Sequence, residues 1–239
     1  MSLLAASGPS LYWYLTRSTG AVALLLLTAA IALGVIDVQR FSTPRWPRFI
    51  VDSLHRNVSL LAMAFLVLHI LTSVLDSFAP ISLLDAVIPF AGSYRPFWLS
   101  LGAISFDLLL AVTITSMLRR RIGYAGWRAT HWLTYASWPI ALLHGFGTGS
   151  DVKSTWLLAL SIACLVVVVV AVLARVLAGW PEHLGRRGAA LGGAALFSLF
   201  LLLWLPGGPL GSNWARRSGT PSALLPHTSA TATKTGNKR

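Results

Sequence analysis

The sequence predicts an all-α integral membrane protein, a bundle of about six transmembrane helices. Hydrophobic residues make up 55% of the 239 and charged residues only 11%, against roughly 25% charged in a soluble domain. Mean hydropathy is +0.70. Apolar runs of about 20 residues, the length that crosses a hydrocarbon core, recur along the chain rather than standing alone.

Six apolar segments are read, at 12–36, 54–78, 97–118, 129–149, 154–178 and 189–205. The first contains Arg17 and is followed by no clean small-residue cleavage site, so it is expected to be retained rather than removed as a signal. Breakers and charges end each segment: Pro44 and Pro47, Pro80 and Pro89 to Pro96, Arg119 to Arg121, Gly149 to Lys153, and Pro181 to Gly188. Short connections of this kind make neighbouring helices antiparallel and pack them as one bundle over 1–205. From Pro206 the chain is rich in Gly, Pro, Ser, Thr and Ala, and 206–239 is expected to be a disordered basic tail. The single cysteine, Cys164, lies in an apolar run, which excludes a disulfide framework or a Cys-based cluster within one chain.

The formal charge of +12 raises the question of nucleic acid. Its distribution argues against nucleic acid and for membrane lipid, because the positive residues punctuate the apolar segments. The first, third and fifth connections and their flanks hold Arg40, Arg45, Arg48, Arg56, Arg119, Arg120, Arg121, Arg128, Arg175, Arg186 and Arg187, whereas the second and fourth hold Arg95 and Lys153. Cytoplasmic loops are enriched in Lys and Arg. A multi-pass cell-membrane protein with both termini extracytoplasmic follows, against the smaller pull of Arg216, Arg217, Lys234, Lys238 and Arg239 in the tail.

Four of the six histidines fall on apolar segments: His55 and His69 on the second, His131 and His144 on the fourth. Ionisable residues at membrane depth mark function by default. A rise of about 1.5 Å per residue separates the first two by roughly 21 Å and the second two by roughly 20 Å. The two helices run in the same direction, so His55 is level with His131 towards the inside and His69 with His144 towards the outside. Two rungs of facing imidazoles suit one or two b-type haems, the four histidines acting as axial ligands. Ala62, Ala64, Phe65, Trp132, Ala136, Trp138, Ala141 and Gly145 are candidates for the slot, and equally for ordinary helix packing. The thirteen-residue step from His131 to His144 is out of phase by about 140° on a straight helix, so a distortion near Pro139 is expected to re-aim His144.

Arg17 and Arg95 near the outer haem, and Arg56 beside His55, either pair with haem propionates or snorkel to the interface. Asp107, inside the third segment, is read as bonding a neighbouring helix in preference to serving a proton path. His183 and His227 read as solvated surface residues. Trp13, Trp46, Trp98, Trp127, Trp156, Trp180, Trp204 and Trp214 fall near helix ends as an interfacial belt.

The pattern His-x13-His on one helix and His-x12-His on another resembles the ferric reductase-like transmembrane domain, the haem-carrying part of ferric reductases and NADPH oxidases. The stretch RPFWLSLGAISFDLLLAVTITSMLRRRIGYAGWRATHWLTYASWPIALLH is also similar to the haem membrane subunit of the bacterial methionine sulfoxide reductase system, through Arg95, Gly102, Ser105, Thr115, Ser116, Gly123, Trp127, His131, Tyr135 and His144. The resemblance covers about residues 12–178. It implies an inner haem on His55 and His131, an outer haem on His69 and His144, and room for a bound FMN to which no residues are assigned. Members with flavin and nicotinamide domains continue beyond the membrane part. No glycine-rich dinucleotide fingerprint follows a strand here, so electrons are expected to come from or go to a separate redox partner protein or a quinone. The alternative is a histidine-lined transition-metal or proton transporter. The 20 Å separation along each helix opposes a single metal site.

Overall fold

The computed structural model describes residues 10–39, 47–149, 151–178 and 184–225. Every regular element among them is helical: α1 (Leu11–Val38), α2 (Arg48–Leu75), α3 (Pro96–Met117), α4 (Arg119–His131), α5 (Leu133–Thr148), α6 (Thr155–Leu177), α7 (Leu184–Gly207) and the single turn α8 (Trp214–Arg217). Arg40, Arg45, Trp46, Trp180, His183, His227, Lys234, Lys238 and Arg239 lie outside the described residues.

Local chemistry sets the helix ends. Ser10 caps α1 by accepting the Trp13 N–H at 3.0 Å, and its hydroxyl donates to Asp76 Oδ1 at 2.8 Å, which ties the start of α1 to the end of α2. Pro96 opens α3, where a missing N–H costs no helical bond. Five helices, α1, α2, α3, α6 and α7, are long and apolar enough to cross a membrane. The fourth expected span is corrected: it is divided at Trp132, and α5 has 16 residues. At 1.5 Å each these cover about 24 Å, short of a 30 Å hydrocarbon core.

Packing follows the antiparallel order. α1 lies along α2, and α3 along α5, while α1 also meets α5 and α6, and α6 meets α7. A core of Trp138, Leu142, Phe146, Val152, Cys164 and Leu201 holds α5, α6 and α7 together. Trp138 donates from Nε1 to Thr28 Oγ1 at 2.9 Å, and Ser105 donates to the Ser137 carbonyl at 3.0 Å, which satisfies these buried polar groups. Outward, α2 shows Leu60, Leu61, Leu68 and Leu71, α6 shows Val166, Val167 and Val170, and α7 shows Leu202 and Leu203. Rows of large apolar side chains on the outside are what lipid, not water, accommodates.

Two further expectations are corrected here. Residues 206–225 are not disordered: after α7 the chain turns, forms α8 and packs against the starts of α3 and the end of α5. Composition missed this because a few large contacts hold the segment. Trp204, Trp98 and Trp214 form a ring cluster with centroids 5.0–5.7 Å apart, and Arg217 donates to the carbonyls of Gly207 and Ser212. Trp98, Trp204 and Trp214 thus pack on one another at this end of the bundle. The distortion expected near Pro139 lies earlier. α5 runs through Pro139, and the interruption is at Trp132, where Tyr135 N–H bonds back three residues to the Trp132 carbonyl at 3.1 Å. A proline acts on the carbonyl four residues before it, here that of Tyr135, so the division at Trp132 lies beyond its direct reach.

Candidate functional site

The four histidines meet in two pairs. The ring centroids of His55 and His131 are 6.2 Å apart, with planes at 63°. Those of His69 and His144 are 6.3 Å apart, with planes at 88°. His69 and His144 face a cavity of about 280 Å³ between the α1–α2 and α3–α5 pairs, walled by Gly20, Ala103, Phe106 and Ala141 among others. His131, the last residue of α4, and His144 on α5 thus face the same helix, α2, on either side of the division at Trp132.

Three of the imidazoles are held alike. His55 Nδ1 lies 3.0 Å from the Ala30 carbonyl, His69 Nδ1 2.8 Å from the Thr16 carbonyl, and His144 Nδ1 2.9 Å from the Trp98 carbonyl. A carbonyl only accepts, so each Nδ1 carries the proton, and Nε2 on the other side of the ring keeps a lone pair. His131 differs: its Nδ1 is buried with no hydrogen-bond partner among the described residues, and its ring lies 4.9 Å from that of Trp127.

Close approach by these rings depends on glycine. A Cβ on Gly20 would lie 3.0 Å from His69, one on Gly34 3.3 Å from His55, and one on Gly102 only 2.5 Å from His144. Sequence reasoning singled out Gly102 by resemblance and missed Gly20 and Gly34. The signal was present, since 20 and 34 are as far apart as 55 and 69.

The other candidates scatter. Arg17 lines the cavity, forms an ion pair with Asp151 and stands 3.6 Å over the Trp13 ring. Arg56 is exposed. Arg95 is buried, and its Nε and Nη1 are taken by Thr220 Oγ1 at 2.9 Å and by the carbonyls of Gly147 and Thr148 at 3.0 Å each. Burial lowers its guanidinium below the usual arginine pKa, and neighbouring Tyr94 opposes the shift. The cavity wall at this point is Tyr94, not Arg95. Of the residues considered for the slot, Ala141 and Gly145 line the cavity, whereas Trp132 and Ala64 are exposed and Trp138 belongs to the core. Asp107, expected to bond a neighbouring helix, is half-exposed on α3 with no hydrogen bond or ion pair among the described residues.

The model of one protein family, the ferric reductase like transmembrane component, matches residues 19–142, just over half of the chain. The chain belongs to the ferric reductase-like transmembrane family. The match takes in His55, His69 and His131 and stops two residues before His144, which the ring geometry adds to the set. No curated protein and no solved structure matches the chain.

Proposed function

We propose that this ferric reductase-like protein carries electrons across the cell membrane through two b-type haems, one held by His55 and His131 and one by His69 and His144. The observation that carries the reading is the spacing of the rings. A metal–imidazole bond of about 2 Å on either side of an iron puts the two nitrogens about 4 Å apart, and half a ring on each flank brings the centroids to about 6 Å. Both pairs match, at 6.2 and 6.3 Å. The donor set fits as well. A histidine that ligates a metal characteristically donates its other ring N–H to a carbonyl, and three of the four do so.

A haem on such a rung supplies reversible one-electron chemistry at iron. The protein's part is to fix each ring before ligation. The carbonyls of Ala30, Thr16 and Trp98 set the tautomer and raise the basicity of Nε2. Gly34, Gly20 and Gly102 leave the rings their place, and the wall around the outer pair is mostly apolar. Arg17 is the residue proposed to hold a propionate at the outer rung, and exposed Arg56 to do so at the inner one. Arg95 is instead bound to protein acceptors. A separate redox partner protein or a quinone is proposed as the other party, with FMN as a further bound group. The transition-metal form of the transporter alternative is disfavoured, because no group of three His, Cys, Asp or Glu gathers among the described residues.

The test is a dithionite-reduced minus oxidised spectrum with haem counted per chain. A b-type spectrum with about two haems, falling to about one in His69→Ala and in His131→Ala, is expected. Purified protein that takes up no haem would overturn the reading.

A further inference from the structure

The segment after α7 reaches the His69–His144 rung by two indirect routes, one through Arg95 and one through Trp98. Arg95 adopts the left-handed conformation (φ 41°, ψ 60°), which costs a side-chain-bearing residue energy and persists only where neighbours impose it. Its N–H donates to the Gly219 carbonyl at 3.0 Å, its Nε to Thr220 Oγ1, and its Nη1 to the carbonyls of Gly147 and Thr148. Gly219, at φ 90°, lies against Pro96, where an added Cβ would come within 3.1 Å of the proline ring.

The first route goes through the end of α5. Its last carbonyls have no helical partner, and Arg95 and the Trp214 Nε1, 3.2 Å from the Gly147 carbonyl, satisfy them. His144 is in that final turn. The second route goes through Trp98, whose carbonyl receives the His144 N–H. The Trp98 indole is stacked on Trp204 at 5.0 Å and packed on Trp214 at 5.3 Å, and it fills the space that a side chain at Gly147 would occupy. At the other rung His55 has the Ala30 carbonyl, but the Nδ1 of His131 has no partner among the described residues.

We propose that residues 207–220 form a cap that, through Arg95, Trp98 and Trp214, positions His144 and so tunes the His69–His144 rung alone. This rests on the haem reading for its spectroscopic consequence, and on geometry alone for its mechanical one.

Two mild variants of the full chain test it. Thr220→Val removes the acceptor of Arg95 Nε, and Trp214→Phe removes the donor to Gly147 while keeping a ring. Amide hydrogen exchange at residues 145–149 is expected to speed up in both, with residues 131–136 unchanged. In haem-loaded protein, the low-spin electron paramagnetic resonance signal that His69→Ala abolishes is expected to shift. Retention of that haem is expected to weaken by about 10-fold, the range seen when a ligand's outer partner is lost. The other signal stays, and Thr220→Ser restores the wild-type behaviour. Unchanged exchange in both variants, or equal changes at both rungs, overturns the cap. Wild-type protein without haem overturns the function reading instead, and the exchange data still decide on the cap.

Discussion

Each of three histidines is met by the same two features four residues apart on a neighbouring helix: a carbonyl at Thr16, Ala30 or Trp98, and a glycine at Gly20, Gly34 or Gly102. Positions i and i+4 share a helix face, so the acceptor and the vacant Cβ position come to the ring together. The distances rank what alanine does at the three glycines. Gly102→Ala places a methyl 2.5 Å from His144 and is expected to empty that rung, leaving about one haem per chain. Gly20→Ala, at 3.0 Å, is expected to weaken the same rung without emptying it, and Gly34→Ala, at 3.3 Å, to leave the His55–His131 rung filled. Haem per chain in the three variants checks the order, and equal loss in all three would show that ring clearance is not what the glycines provide. At this scale the sequence was readable for the ligands, because histidine in an apolar run is rare. It was less so for the glycines, which are common in membrane helices for many reasons.

Among the elements, α4 is the one whose character differs. It carries Arg119, Arg120, Arg121 and Arg128, none of its residues is buried, and it ends on His131. Gly123 within it has φ 74° and ψ 169°, a conformation essentially confined to glycine, where the chain changes direction between α3 and the histidine. Gly123→Ala is expected to cost about 1–3 kcal/mol and to lower the melting temperature, with the His55–His131 haem lost before the other on heating. A melt followed at the haem bands checks this, and an unchanged order of loss would separate α4 from the rung. The apolar runs were legible as helices because length and hydropathy decide them. The division of the fourth was not, since Trp132 itself has ordinary helical dihedrals and the turn that gives way is upstream of Pro139. The ordered segment after α7 was hidden for a related reason: three tryptophans and two arginines far apart in the chain hold it, and no local periodicity announces that.

For the whole molecule, the two ends of the bundle differ in how their positive charges are used. At the end that holds Ser10, the α2–α3 connection and Thr220, Arg17 is paired with Asp151, Arg95 is buried on carbonyls, and Arg217 donates to the carbonyls of Gly207 and Ser212. At the other end Arg187 donates to the Val176 carbonyl at 2.6 Å, but Arg56, Arg119, Arg120, Arg121 and Arg128 make no such bond to the bundle among the described residues, and all five are exposed. Charges that act on orientation are those left facing headgroups and water. The loop count over the α1–α2, α3–α4 and α6–α7 connections therefore predicts that the His55–His131 end faces the cytoplasm. Cysteine labelling decides it. Cys164 is buried and already silent to a polar reagent, so single cysteines at Leu83, which is exposed in the α2–α3 connection, and at Arg120 report the two faces. In intact cells a membrane-impermeant maleimide is expected to label Leu83→Cys and to reach Arg120→Cys only after lysis. The reverse pattern would invert the molecule, exchange the inner and outer rungs, and place the cap of residues 207–220 on the cytoplasmic side.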